Sequence, residues 1–207
     1  MDVIESTCGT NQNKLKHTAG LGTFTSKVTT VLGNIPEQAR VQFAMGDVLL
    51  AQDGLEKEAI EMLQKARAIF ETCDDPESLS RLLCKLGEAF TRIEAWDDAI
   101  TALEKSISTA VSIESELIRK QVQAECNQVL GQTYLEQYYS DESSLADVPS
   151  EAREEVIRKG LLFSERSIGI RREDDDPSIY LDLAQEHYFL GDTENARLCS
   201  RNTWMRP

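Results

Sequence analysis

Two stretches of this chain carry nearly the same pattern some forty residues apart: "LEKEAIEMLQKARAI" at residues 55–69 and "WDDAITALEKSIS" at residues 96–108. Superposing Ala99 on Ala59 aligns Ile100 with Ile60, Leu103 with Leu63, Lys105 with Lys65 and Ser106 with Ala66. Small residues seven apart, with a larger apolar residue four after the first, fall on one face of an α-helix, and the small ones mark where a second helix crosses closely. The pattern constrains the chain to an all-α fold in which helices pack in pairs.

The partner helix is written ahead of each of these stretches. Before Ala99 stands "LLCKLGEAFTRIEAW", with Leu86, Gly87 and Phe90; before Ala59 stands "FAMGDVLLAQDG", with Gly46 and Leu49. The same phrase returns as "QVLGQTY" (Leu130, Gly131, Tyr134) and "YLDLAQEHYFLGD" (Leu183, Ala184, His187). Second halves follow at Gly160, Ser164 and Ser167, and at Ala196, Ser200 and Thr203. One helix pair cannot bury its apolar stripe alone, so stacking on the next pair completes the burial. Gly or Ala on each first helix is expected to face the small residues of its second helix, with Leu, Phe and Tyr filling the space beside them.

These residues resemble the tetratricopeptide repeat family, over roughly residues 36 to 204. The second unit matches best, through Leu83, Leu86, Gly87, Phe90, Trp96, Ala99, Leu103 and Ser106, with the family's spacing of twelve from Gly87 to Ala99. The fourth keeps that spacing from Ala184 to Ala196, the first is one residue longer, and the third carries about seventeen extra residues between Tyr134 and Gly160. The resemblance implies an α-α superhelical solenoid of about four helix pairs, with units near 37–72, 78–115, 122–172 and 177–204 inside a domain spanning 36–207. The interval of 41 residues from Gly46 to Gly87, and of 44 from Gly87 to Gly131, exceeds the family's usual period. "ISTAVSIESELIRKQVQAECNQ" lacks Gly and Pro and is expected to continue as helix, so long helices with short turns account for the excess. Long-period units of this kind are similar in architecture to those of kinesin light chains.

Outside the repeats, residues 1–35 are rich in threonine and glycine and read as a loosely ordered arm. The segment 137–155, "QYYSDESSLADVPSEAREE", carries an acidic insertion at 139–155 that reads as a solvated loop, with phosphorylation of Ser140, Ser143 or Ser144 as the alternative. "RREDDDP" at 171–177 sets Arg171 and Arg172 at one helix C-terminus and aspartates before the next helix, as helix dipoles favour.

Charge and composition narrow the function. With 22 Lys and Arg against 36 Asp and Glu the formal charge is −14, which disfavours nucleic acid as a partner. The five cysteines are scattered without a C-x-x-C pair, and His17 and His187 are the two histidines, so neither a metal nor any other cofactor is expected and the thiols read as reduced. No run of apolar residues is long enough to insert in a membrane and no basic region precedes an apolar run at the N-terminus; the expected location is the cytoplasm, with the nucleus open. No nucleophile, acid-base pair or metal set stands out, and a catalytic role is not expected.

What the resemblance implies instead is a protein or peptide partner held in a concave groove. Carried over by register, the groove positions include Arg40, Arg81, Lys85, Glu88 and Arg92 from the first two units, Gln128, Gln132 and Leu135 from the third, and Gln185, Tyr188 and Phe189 from the fourth. The clamp that grips chaperone C-termini needs Lys and Asn at set positions; here those hold Phe43 and Asp47 in the first unit and Lys85 in the second, so that ligand is not expected. The arginines and Lys85 suit an acidic-apolar segment, the alternative being that they pair with Asp47 and Glu88 within the groove. A second class of function is assembly, including self-association, through the solenoid end at Trp204 and Met205, since the sequence shows no capping helix there.

Overall fold

In the computed structural model the described residues are 35–140 and 150–171, together with Ala184, His187, Glu194 and Arg197, which are helical. The expected arm, the centre of the acidic insertion and most of the fourth unit lie outside them. Among the described residues there are six helices and no strand. The chain divides into two compact units, Met1–Asp74 and Asp75–Pro207.

The first unit holds one helical hairpin. Helix α1 (Ile35–Leu50) opens with Pro36, whose missing N–H is harmless in a first turn, and Glu37, whose carboxylate suits the positive end of the helix dipole. Helix α2 (Glu56–Phe70) buries Ala59, Leu63, Ala66 and Phe70, the ladder read from the sequence. Between the helices Gly54 adopts φ +83°, a left-handed conformation that side chains resist, and its N–H donates to the Glu56 carboxylate at 3.1 Å.

The second unit stacks two hairpins in the manner of an α-α solenoid. Helix α3 (Pro76–Arg92) begins at Asp75, whose carboxylate accepts the Ser78 N–H at 3.0 Å and the Ser78 hydroxyl at 2.6 Å. Proline in the first turn completes a strong start signal, worth about 1 kcal/mol through the cap alone. Helix α4 (Trp96–Ala110) returns against α3, helix α5 (Glu116–Ser140) packs on both, and helix α6 (Ser150–Arg171) packs along α5.

The third crossing brings small residues face to face as expected, whereas at the first two the leucine of the second helix comes closest to the glycine. Gly46 and Gly87 each form a recess for the leucine of the second helix, and Gly46 also lies against Ala59, whose carbonyl would be 3.3 Å from a Cβ there. A Cβ at Gly46 would stand 2.6 Å from Leu63 Cγ, and one at Gly87 would stand 2.4 Å from Leu103 Cγ. Ala59 and Ala99, one turn earlier, let the helices approach closely enough for the leucine to enter.

The third pair inverts this lock. Ser164 occupies the register position of Leu103, and Gly131 lies so close that a Cβ there would sit 2.4 Å from Ser164 Oγ and 3.0 Å from the Gly160 carbonyl. The apolar knob comes from α5 instead: Leu135 packs against Gly160, where a Cβ would meet its Cγ at 3.0 Å. Tyr134 stacks on Phe163 beside this contact, ring centroids 5.8 Å apart, and the Ser167 hydroxyl donates to the Ala124 carbonyl at 2.8 Å.

Between the stacked hairpins, α3 and α5 lie side by side, offset by 42 residues. Thr91 Oγ1 is 2.7 Å from Thr133 Oγ1, and the Cys84 thiol is hydrogen-bonded to Cys126. Leu103, Ile113, Val122, Cys126 and Leu130 belong to one buried cluster with Cys84. Burying each such Leu contributes on the order of 1.5–3 kcal/mol.

The stretch after Ser106, expected to form long helices with short turns, is divided by one such turn. Helix α4 ends at Ala110, residues 111–115 form a turn, and α5 starts at Glu116. Hydroxyls explain the stop: Ser108 and Thr109 both donate to the Lys105 carbonyl at 2.8 Å, offering the backbone local partners that compete with the helix. Ile113 is buried and pins the turn to the core, while the Arg119 guanidinium donates to its carbonyl at 3.2 Å.

Candidate partner-binding groove

The parallel packing of α3 and α5 leaves one row of each helix facing an open concavity of about 310 Å³. From α3 it is lined by Cys84, Lys85, Glu88, Thr91 and Arg92, and from α5 by Glu125, Gln128, Val129, Gln132 and Glu136. Spacings of three and four place each set on a single helical face, and the buried leucines on the opposite side of each helix hold those faces outward.

Ion pairing on the α3 wall is local. Lys85 Nζ donates to Glu88 Oε2 at 3.1 Å and Arg92 Nη2 to Glu88 Oε1 at 2.9 Å, so one carboxylate holds two cations through its two oxygens. On the α5 wall Gln132 Nε2 donates to Glu136 Oε1 at 2.7 Å, and Gln128 Oε1 accepts from Arg171 Nη2 at the end of α6. Glu125 is exposed and, among the described residues, takes part in no hydrogen bond or ion pair.

Cys84 lies at the floor. The hydrogen bond to Cys126 first, and burial second, hold its thiol well above the usual thiol range, so it is neutral at ordinary pH. Among the described residues no three His, Cys, Asp or Glu side chains come together as a metal site. Nor is any described helix long and apolar enough to cross a membrane.

Of the residues expected in the groove, Lys85, Glu88, Arg92, Gln128 and Gln132 are brought together. Arg81 is on α3 but outside the lining, its Nε donating to Glu77 at 3.1 Å. Leu135 belongs to the core: it is 6 % exposed and fills the space at Gly160. The register carried over for the third unit assumed that the small-residue side of α5 faced away from Leu135, and the inverted lock reverses this. Arg40 is in the first unit, on the surface of α1, paired with Glu37 at 3.5 Å. Gln185, Tyr188, Phe189, Trp204 and Met205 lie outside the described residues. Pairing of the cations with Glu88, one of the two alternatives, is realised for Lys85 and Arg92. The Arg171 bond to Gln128 was not legible; the sequence assigned Arg171 to helix-end electrostatics, and only the packing of α6 on α5 carries it across 43 positions.

An all-α chain of stacked helical hairpins, with small residues at each crossing and an open polar groove between first helices, is a helical repeat protein. Residues 37–110 match the family model described as tetratricopeptide repeat, which identifies the repeats of that segment. A solved structure titled "Crystal structure of BtubC (BKLC) from P. vanneervenii" is 13 % identical, with a TM-score of 0.42 over 93 % of this chain and 89 % of that one. No curated protein matches the chain. Tetratricopeptide repeats generally mediate protein–protein interaction and are typically non-catalytic.

Proposed function

We propose that this protein is a non-catalytic adaptor or scaffold module that binds a peptide or helical segment of a partner protein in the groove between α3 and α5. The observation that carries the reading is the groove itself: two parallel helices present ten side chains to one concavity, eight of them other than Cys84 and Val129 bearing polar groups. A surface of that kind recognises an elongated polypeptide, whose backbone and side chains it meets along its length. The free thiols of Cys73, Cys84 and Cys126 suit a reducing compartment, the cytoplasm or the nucleus.

An acidic-apolar partner, which the basic residues suggested, would have to compete with Glu88 for both Lys85 and Arg92. Assembly through the end at Trp204 and Met205 is the second reading from the sequence, and no described residue favours it over the groove.

The test is site-specific photo-crosslinking in cell extract. Benzoylphenylalanine placed at Gln132 should give discrete adducts with a partner, and the same group at Val111, exposed and outside the groove lining, should not. Equal adducts at both positions, or none at Gln132, would remove the groove reading.

A further inference from the structure

We propose that the segment recognised by this groove is basic, an extended peptide carrying two Lys or Arg side chains four or six residues apart that engage Glu125 and Glu136. The inference rests on the groove reading above and specifies its ligand.

Every cation expected to make the groove basic is already held by a carboxylate of its own helix: Arg81 by Glu77, and Lys85 and Arg92 by Glu88. Within the lining the charges are Lys85 and Arg92 against Glu88, Glu125 and Glu136, a net −1 in a chain of −14. The imbalance is spatial. Among the described lining residues the positive charge is on the α3 wall and is paired there, Arg171 of α6 reaches only Gln128 from beside the lining, and the two carboxylates of the α5 wall are paired with none of these cations. Glu136 accepts one amide bond from Gln132, leaving lone pairs for a second donor, and Glu125 accepts none.

Eleven residues of helix put Glu125 and Glu136 about 16 Å apart along α5. An extended chain covers that distance in about five residues, and because its side chains alternate faces a separation of four or six turns both toward α5. Gln128 and Gln132 lie between the two carboxylates on the same face; Gln128 Oε1 is held by Arg171 and Gln132 Nε2 by Glu136, and the Gln132 carbonyl faces the backbone that would span them. Lys85 and Arg92 on the facing wall repel a basic side chain from α3 and direct it toward α5, which fixes the orientation of the segment as well as its sign. The chain's overall negative charge attracts the same class of ligand at long range.

The test uses the full chain and two sets of fluorescent dodecapeptides of Ala, Thr and Gln, one carrying two lysines at separations of one to nine residues and the other two glutamates at the same separations, with binding read by anisotropy. Wild type should bind the dilysine peptide of spacing four or six at least tenfold more tightly than its glutamate counterpart. The Glu125→Lys/Glu136→Lys variant, with folding checked by circular dichroism, should lose or invert that preference, and Glu125→Gln/Glu136→Gln should abolish it without reversal. Tighter binding of the diglutamate set, lost on Lys85→Glu/Arg92→Glu substitution, would overturn the basic ligand while leaving the groove in place. Binding of neither set, or binding indifferent to all of these substitutions, would overturn the inference and count against the groove.

Discussion

The hydroxyl of Ser106 donates to the carbonyl of Ser80 at 2.6 Å, and the Ser80 hydroxyl returns a bond to the carbonyl of Ser106 at 2.8 Å. Both serines are fully buried, and Ser106 Oγ also lies 2.9 Å from Cys126 Sγ. The position equivalent to Ser106 is Ala66 in the first repeat, so an alanine fits there sterically, and Ser167 in the third, whose hydroxyl likewise donates to a carbonyl across its crossing. With the Ser106 proton given to Ser80, the Cys126 thiol is the donor in the bond to Ser106, and α3, α4 and α5 are tied at one point.

Ser106→Ala should therefore destabilise the protein by about 1–3 kcal/mol, because it strands a buried acceptor and a thiol without removing much volume. Ser80→Ala/Ser106→Ala should cost less than the sum of the single changes, since the pair is one reciprocal unit. Urea denaturation of the three variants measures this; strict additivity would show that the two bonds are independent.

Gly87 and Leu103 form a recess and its occupant. Leu103→Ala should cost about 2–5 kcal/mol through the cavity it leaves. Gly87→Ala brings a Cβ to 2.4 Å from Leu103 Cγ and should also destabilise. The double variant should be more stable than additivity allows, because the added methyl enters the space vacated. Thermal unfolding of the cycle would contradict the lock if the double variant were no better than the sum.

Glu94 has φ +61°, at the position where the first repeat has Gly54. A side chain in the left-handed region costs on the order of 1–2 kcal/mol, part of which glycine recovers before its greater unfolded-state freedom is counted. Glu94→Gly should raise the unfolding midpoint slightly, whereas Gly54→Glu should lower it.

The pH dependence follows from Cys84 and Tyr134. Both have folded pKa values raised above their usual ones, Cys84 by its bond to Cys126 and then burial, Tyr134 by burial and then Glu104. A raised acid contributes stability that is complete below its unfolded pKa and is lost as pH rises toward the folded value. Stability should therefore decline above about pH 8.5 for the thiol and again near about pH 10 for the phenol. Denaturation midpoints from pH 7 to 10.5 test the sign; a Cys84→Ser variant should flatten the first decline. Alkylation at pH 7.5 should mark Cys73, which is partly exposed, well before Cys84 or Cys126.

By itself the sequence determined the helical hairpin as the building unit. The alternation of Ala59, Leu63 and Ala66, repeated at Ala99, Leu103 and Ser106, has a single low-energy reading, because side chains three, four and seven apart share one helical face whatever lies around them. Register carried over from the family resemblance put Lys85, Glu88, Arg92, Gln128 and Gln132 on one side of their helices, and the structure sets them along the concavity between α3 and α5.

Tertiary structure decided what local periodicity does not encode. Whether Leu135 looks into a groove or into a core depends on which helix supplies the knob at a crossing, and the exchange of Leu103 for Ser164 at the equivalent position reverses that choice. The break at 111–115 arises where competing hydroxyl bonds coincide with a buried Ile113 that only the neighbouring helices can bury. Pairing matters as well: Lys85 and Arg92 read as free positive charge along the chain, but one carboxylate at i+3 of one and i−4 of the other holds both, leaving a single net positive charge there opposite Glu125 and Glu136 on the neighbouring helix. Charge is additive in a sequence, whereas the field at a surface depends on distances that folding alone sets.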